Sequence, residues 1–239
     1  MEGFLFILYK KIMIWIFGDS YSTSFNHLST RDFWAKDYIS WKGYVPKTFG
    51  EIISDELNME VIYKSKNSFD NDSIFESIYE NAHLIKKDDI IIIGWSSTVR
   101  CRLSNDSNQW INIIPNRKFS DYELSNISKQ TLEDILINRT SPLYKDEFIK
   151  RRDFLNWLFK DMVLIHWTPF VDQFDFTLGY KNITTIKSET NGEINDGHYS
   201  ETGHVLLSKN FMDLIKYDNI RKFGNSNEIG KKNNWKRLL

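Results

Sequence analysis

Several residue types that announce a compartment or a chemistry are scarce in this chain. It has one cysteine, Cys101, so no intramolecular disulfide and no cysteine-pair ligand set can form. That thiol reads as a small buried or half-buried side chain. Four prolines and eleven glycines in 239 residues build no Pro-rich or Gly/Ser-rich linker, no phosphate loop and no dinucleotide fingerprint. There is no HExxH and no His/Asp spacing of a metal site, so neither metal nor cofactor is expected. The 31 basic side chains are balanced by 32 acidic ones, which removes any global attraction to nucleic acid or an anionic membrane, and no nucleic-acid module is recognisable. No apolar run is long enough to span a bilayer. The opening run Gly3 to Tyr9 is short, with no basic segment before it and no small-residue cleavage site after it. A soluble, cytoplasmic protein with no membrane span is expected. Residues 1–12 read either as an extension ahead of a start at Met13, or as an extra strand or interfacial segment.

What the chain does have is aromatic side chains, 15% of residues with eight tryptophans. Most belong to a core, while Trp34, Trp41 and Trp110 are candidates for rim loops. Its periodicity alternates strands and helices. Ile12 to Phe17, Met59 to Tyr63, Ile90 to Gly94 and Met162 to Trp167 read as strands. The β-branched run at Ile90 is typical of a strand buried on both faces. Helices are expected over Val45 to Leu57, Asn71 to Leu84, Tyr122 to Ile137, Lys145 to Phe159 and Gly203 to Ile215. Ser22 to Lys42 reads as a long loop over the sheet, Cys101 to Pro115 as an insertion or cap, Gly179 to Asp196 as irregular, and residues 221–239 as a polar tail. Alternation of this kind implies right-handed crossovers, hence one α/β domain over residues 1–239: a three-layer α/β/α sandwich with a mostly parallel sheet.

Two short segments carry the chemistry. Gly18-Asp19-Ser20-Tyr21 ends the first strand, which puts a hydroxyl where open α/β sheets keep their ligands, outside the carboxyl ends of the strands. Asp196-Gly197-His198 stands before the last helix. A serine is a poor nucleophile until an imidazole takes its proton and a carboxylate fixes the imidazole's tautomer. Ser20, His198 and Asp196 supply those three groups.

At these residues the chain resembles the SGNH (GDSL) hydrolase superfamily, which implies a flavodoxin-like sheet and ester hydrolysis or acyl transfer. Gly18-Asp19-Ser20 matches its nucleophile block, His198 takes the position of its histidine, and Gly203-His204 resembles the pair that opens its last helix. The family spaces its acid three residues before the histidine, where this chain has Asn195. Two readings follow. Either a tighter loop lets Asp196 orient His198, or a backbone carbonyl does so and Asp196 is a cap. The resemblance also implies oxyanion donors: the amide of Ser20, an amide at Ser68 where glycine is usual, and Ser96 in place of an asparagine. Asn71 is a substitute donor or a helix N-cap, and Ser96 a donor or a turn hydroxyl. Gly94-Trp95-Ser96-Ser97 followed by Arg100 resembles a subgroup found in bacteriophage and bacterial polysaccharide loci. In that reading Trp95 walls the acyl or sugar site, and Arg100 either binds a carboxylate or acidic sugar or pairs with a surface acid. His166, after a strand, is a supporting group for the site or a packing residue.

The function expected is a serine esterase acting on a small acyl ester such as an O-acetyl group, with an acylated carbohydrate as partner. The alternatives are an O-acyltransferase and a binding or virion-associated protein with impaired chemistry. Oligomeric state is left open.

Overall fold

The computed structural model describes residues 12–28, 30, 32–104, 110–113, 129–139, 141–170, 178–180 and 183–223. Its centre is a parallel sheet of β1 (Met13–Phe17), β2 (Glu60–Tyr63), β3 (Ile90–Gly94), β6 (Val163–Thr168) and β7 (Leu178–Gly179), in the order β2-β1-β3-β6-β7. Between β6 and β3 in chain order lies an antiparallel hairpin, β4 (Cys101–Ser104) and β5 (Trp110–Ile113). The chain leaves β1 on one side for β2 and returns on the other for β3. The sheet therefore reverses direction at the β1–β3 pair, and a crevice opens beyond its carboxyl edge.

Period-two alternation sorts the strand side chains onto two faces. Ile14, Ile16, Ile90, Ile92, Val163, Ile165 and Trp167 meet Phe49 and Ile53 of α3 (Phe49–Leu57) and Leu207, Phe211 and Ile215 of α8 (Glu201–Phe223). Trp15, Phe17, Ile91 and Ile93 meet Ile74 and Ile78 of α4 (Asn71–Asn81) and Phe148 and Leu155 of α6 (Pro142–Leu158). Both faces are covered, which gives the α/β/α layers. An additional helix, α5 (Lys129–Arg139), is tied to α4 and α6: Arg139 and Arg151 both pair with Asp72 in the first turn of α4. The buried Asp89 carboxylate takes N–H donors from Met13, Trp15 and Lys86, which anchors the start of β1.

Several element boundaries differ from the sequence reading for local reasons. Helix α3 starts at Phe49 rather than Val45, because Thr48 and Glu51 form a capping box and Pro46 precedes it. Helix α4 stops at Asn81 and tightens into a 3-10 turn to Leu84. Helix α6 begins early, at Pro142, behind the Ser141 cap. Of the helix expected over Tyr122 to Ile137, residues 122–128 lie outside the described part. So do residues 1–11, residues 224–239 and the Trp110 side chain.

The largest correction is Ser22 to Lys42, read as a loop. It holds α1 (Phe25–Leu28) and α2 (Phe33–Lys42). Their apolar residues form a third small core of Phe25, Leu28, Ala35 and Tyr38, closed by Ile186 of α7 (Ile186–Glu189), which itself lies in a stretch read as irregular. Polar side chains obscured α2: only Ala35 and Tyr38 of its ten residues are fully buried.

The carboxyl end of α2 is bolted to the segments flanking His198. Lys42 pairs with Glu189 (2.6 Å) and Glu201 (3.0 Å), and the Tyr38 hydroxyl donates to Glu189 (3.1 Å). Burial alone would raise the Glu189 carboxyl, but hydrogen bonds from Lys42, Ser200 and Tyr38 outweigh it and hold it down at about 2, against an ordinary 4.5. A depressed carboxyl contributes stability above its unfolded value, and that contribution disappears as pH falls through the folded one. In acid titrations followed by thermal unfolding, wild type will therefore lose stability relative to Glu189→Gln between about pH 4.5 and 2. Parallel curves over that window would contradict this anchoring role.

Candidate active site

Gly18 lets β1 turn abruptly into the crevice. A Cβ there would lie 2.3 Å from Ser22 Oγ and 2.8 Å from the Gly94 carbonyl, and one on Gly94 would lie 2.1 Å from the same Ser22 Oγ. The ends of β1 and β3 thus pass each other closer than any side chain allows. Beyond Gly18 a single 3-10 turn, Ser20 to Ser22, is capped by Asp19, whose Oδ1 accepts from the Tyr21 amide at 3.0 Å. Ser20 sits at the head of this turn and is 3% exposed.

The histidine arrives from the other end of the chain. The first amides of α7 take the carbonyls of its segment: Ile186 N–H donates to the His198 carbonyl at 2.8 Å and Lys187 N–H to that of Asp196 at 2.9 Å. Gly203 permits this close approach, since a Cβ on it would lie 2.4 Å from the Thr184 carbonyl. Helix α8 opens at Glu201, two residues before the Gly203-His204 pair that resembles a helix start. His204 is 4% exposed, packed against Phe25, Phe49 and Tyr199, and burial pushes it down to about 3.

Held this way, His198 Nε2 is 2.7 Å from Ser20 Oγ, and its Nδ1 is 2.7 Å from Asp196 Oδ1. The same carboxylate oxygen accepts from the His198 amide at 2.8 Å, so the carboxylate and the ring are braced together. Of the two sequence readings for the histidine's orienting group, the geometry has Asp196 at Nδ1 rather than a backbone carbonyl. Burial raises the Asp196 carboxyl, but its bonds to His198 outweigh that and leave it below its ordinary value. The Asp-x-His spacing works because the carboxylate reaches backbone and ring of a residue two positions on.

The other expected site residues divide. Ser68 lies two residues past Lys66, whose amide donates to the Gly18 carbonyl at 3.1 Å, so this turn runs beside the Ser20 turn. Ser68 has φ +64°, the left-handed conformation that explains why glycine is usual there. Holding serine in it costs on the order of 1 kcal/mol. Among the described residues no acceptor takes the amide of Ser20 or of Ser68. Asn71 and Ser96 are engaged elsewhere. Asn71 Oδ1 accepts from the Ser96 amide (2.8 Å) and Asn71 Nδ2 donates to the Ser96 carbonyl (3.0 Å), while Ser96 Oγ donates to Asp19 Oδ2 (2.9 Å). Helix α4 is capped by Asp70, not Asn71.

Arg100 and Trp95 need correction. Arg100 neither pairs with a surface acid nor stands free. Its Nη1 donates to Asp19 Oδ2 at 2.7 Å and to Ser96 Oγ at 3.1 Å; Asp19 is 1% exposed and the Arg100 side chain 14%. Trp95 walls no cleft. It is 1% exposed, on the α6 face of the sheet against Phe148, and its indole N–H donates to His166 Nδ1 at 3.1 Å. His166 belongs with that packing, and burial pushes it down to about 3.

Three aromatic residues have parts in this geometry that the sequence reading did not assign to them. Tyr21 and Trp34 stack on the His198 ring, and Phe170 packs edge-on against Tyr21 at 5.7 Å. Tyr21 was visible as the neighbour of Ser20, and Trp34, read as a rim-loop aromatic, instead lies on the missed helix α2. Among the described residues no group of three or more His, Cys, Asp or Glu could hold a metal ion, and no helix is long and apolar enough to cross a membrane.

No protein-family model and no curated protein sequence matches the chain. Among solved structures it is similar to a carbohydrate esterase whose active site combines divergent catalytic and non-catalytic binding functions (14% identity, 87% of this chain and 70% of that one, TM-score 0.44). It is also similar to a G-D-S-L family protein from Desulfitobacterium hafniense DCB-2, described as lipolytic (10% identity, 85% and 99%, TM-score 0.35). At these scores the functional reading stands on the site's own geometry.

Removing one member of a buried ion pair leaves the other charge uncompensated, at a cost of roughly 3–5 kcal/mol. Arg100→Met is expected to lower stability by about 3 kcal/mol in denaturant unfolding, whereas Arg102→Met, whose partner Glu76 is half exposed, will change it by less than about 1 kcal/mol.

Proposed function

We propose that this chain is a serine ester hydrolase of the SGNH type, acting on small acyl esters and in particular on O-acetyl groups of carbohydrate. The observation that carries this reading is the relay of Ser20 Oγ, His198 Nε2, His198 Nδ1 and Asp196 Oδ1, with 2.7 Å at each hydrogen bond. In the first step Ser20 Oγ attacks the ester carbonyl carbon and its proton passes to His198 Nε2. The carbonyl π pair moves onto oxygen, and the amides of Ser20 and Ser68 are the donors this reading assigns to it. Collapse of the tetrahedral intermediate breaks the bond to the alcohol, which leaves with the proton from His198. Water then attacks the acyl-serine with His198 as base, and release of the acid restores Ser20. Asp196 holds the tautomer and stabilises the imidazolium.

Two backbone donors form a sufficient oxyanion site in other acyl-transfer enzymes, so the engagement of Ser96 with Asp19 does not disqualify the chemistry. The near-complete burial of Ser20, at the head of the turn whose next residue Tyr21 packs edge-on against Phe170, supports a small acyl group. The aromatic side chains at the start of α2, with Phe33 82% exposed, support a sugar on the alcohol side.

Aryl acetate hydrolysis, together with acetate release from acetylated oligosaccharides, tests this. Ser20→Ala and His198→Ala are expected to lower kcat by on the order of 10⁴-fold or more and Asp196→Asn by about 10³ to 10⁴. The octanoyl ester is expected to turn over far more slowly than the acetyl ester. Wild-type rates in Ser20→Ala would overturn the nucleophile assignment, equal rates on both esters the small-acyl reading. Transfer to an added sugar exceeding hydrolysis would make the protein an O-acyltransferase with the same acyl-enzyme.

A further inference from the structure

The imidazole of His198 is covered on both sides. The Trp34 ring is stacked on it with 4.0 Å between centroids and 6° between planes, and the Tyr21 ring with 4.5 Å and 28°. Two rings lying nearly parallel to one imidazole at these distances must occupy its opposite faces. The edges of the imidazole are taken by Ser20 at Nε2 and Asp196 at Nδ1, so every direction in which the ring could tilt is blocked. Both aromatics are themselves fixed. Tyr21 packs edge-on against Phe170 (5.7 Å) and Tyr199 (5.3 Å), and Trp34 edge-on against Phe25 (6.2 Å). Helix α2, which carries Trp34, is tied through Lys42 to Glu189 and Glu201 on either side of the Asp196-His198 segment.

We propose that Trp34 and Tyr21 are a pair of positioning residues for the general base: an aromatic sleeve that holds His198 in the plane joining Ser20 to Asp196 and stabilises its protonated form. The inference rests on the ester-hydrolase reading of the same site. When Ser20 attacks, its proton moves to Nε2 and the imidazole becomes a cation between two π faces. A cation at such distances from an aromatic face is stabilised, and more so where water is excluded. The gain appears only once the charge has formed, so it lowers the barrier to the chemical step rather than strengthening ground-state binding. Neither aromatic needs to touch the acyl group for this.

The test compares Trp34→Phe, which keeps a ring over His198, with Trp34→Leu, which keeps apolar cover without a π face. Thermal unfolding of each confirms that the variant is folded. Trp34→Leu is expected to lower kcat about tenfold or more with KM within about twofold, and Trp34→Phe to recover most of the loss. Equal kcat in wild type and Trp34→Leu, or a loss the phenylalanine does not recover, overturns the proposal. A second readout needs no turnover. The Nδ1 proton shared with Asp196 is expected to give a slowly exchanging downfield resonance in wild type and Trp34→Phe, assigned by its loss in His198→Ala, and to be exchange-broadened in Trp34→Leu. That pattern in a protein without esterase activity would keep the sleeve and reject the hydrolase reading. An unchanged resonance in Trp34→Leu would reject the sleeve.

Discussion

The site depends on one buried carboxylate. Asp19 is almost wholly removed from water, and an acid so placed is tolerable only if its oxygens are satisfied. One oxygen caps the turn that begins at Ser20. The other takes the Ser96 hydroxyl and the Arg100 guanidinium, which come from the loop after β3. Asp19 therefore fixes the Ser20 turn and welds it to the neighbouring strand exit at the point where the sheet changes direction. The glycine contacts at 18 and 94 complete the junction. With Ser20 immobile, the position of the last loop decides whether an imidazole can reach it.

That loop is held by different physics. Its backbone is taken up by the amides of α7, its close packing needs Gly203, and its flanks are pinned by charge to the end of α2 through Lys42. The second anchoring brings Trp34 over His198 as a by-product of fixing the helix. The Ser20, His198 and Trp34 side chains are thus brought together from three chain regions far apart in sequence, with the last loop and α2 anchored to each other through Lys42.

Much of this was legible in the residues. Strands declared themselves by β-branched apolar runs, and the Gly-Asp-Ser and Asp-Gly-His segments indicated where a nucleophile and base would stand. What could not be read shares a cause. Helix α2 buries few of its residues, so its periodicity is faint, and with it went the place of Trp34 over His198 and the third core. Arg100, Ser96 and Asn71 carry donor groups that suit substrate binding, and sequence gives no sign that a buried Asp19 and the Ser96 backbone claim them first. Trp95 was read as a cleft wall from the resemblance of Gly94-Trp95-Ser96-Ser97 to a subgroup, but the direction of its side chain depends on strand register. The identity of a polar side chain is local information; the partner that takes it is tertiary.

The central claim is that Ser20 is a nucleophile activated by His198. Reaction with a fluorophosphonate, read by intact mass on wild type, Ser20→Ala and His198→Ala, tests it most directly. The account predicts one covalent adduct on the wild type and none on either variant. A folded wild type that stays unlabelled, or a Ser20→Ala protein that is labelled as readily, would contradict it.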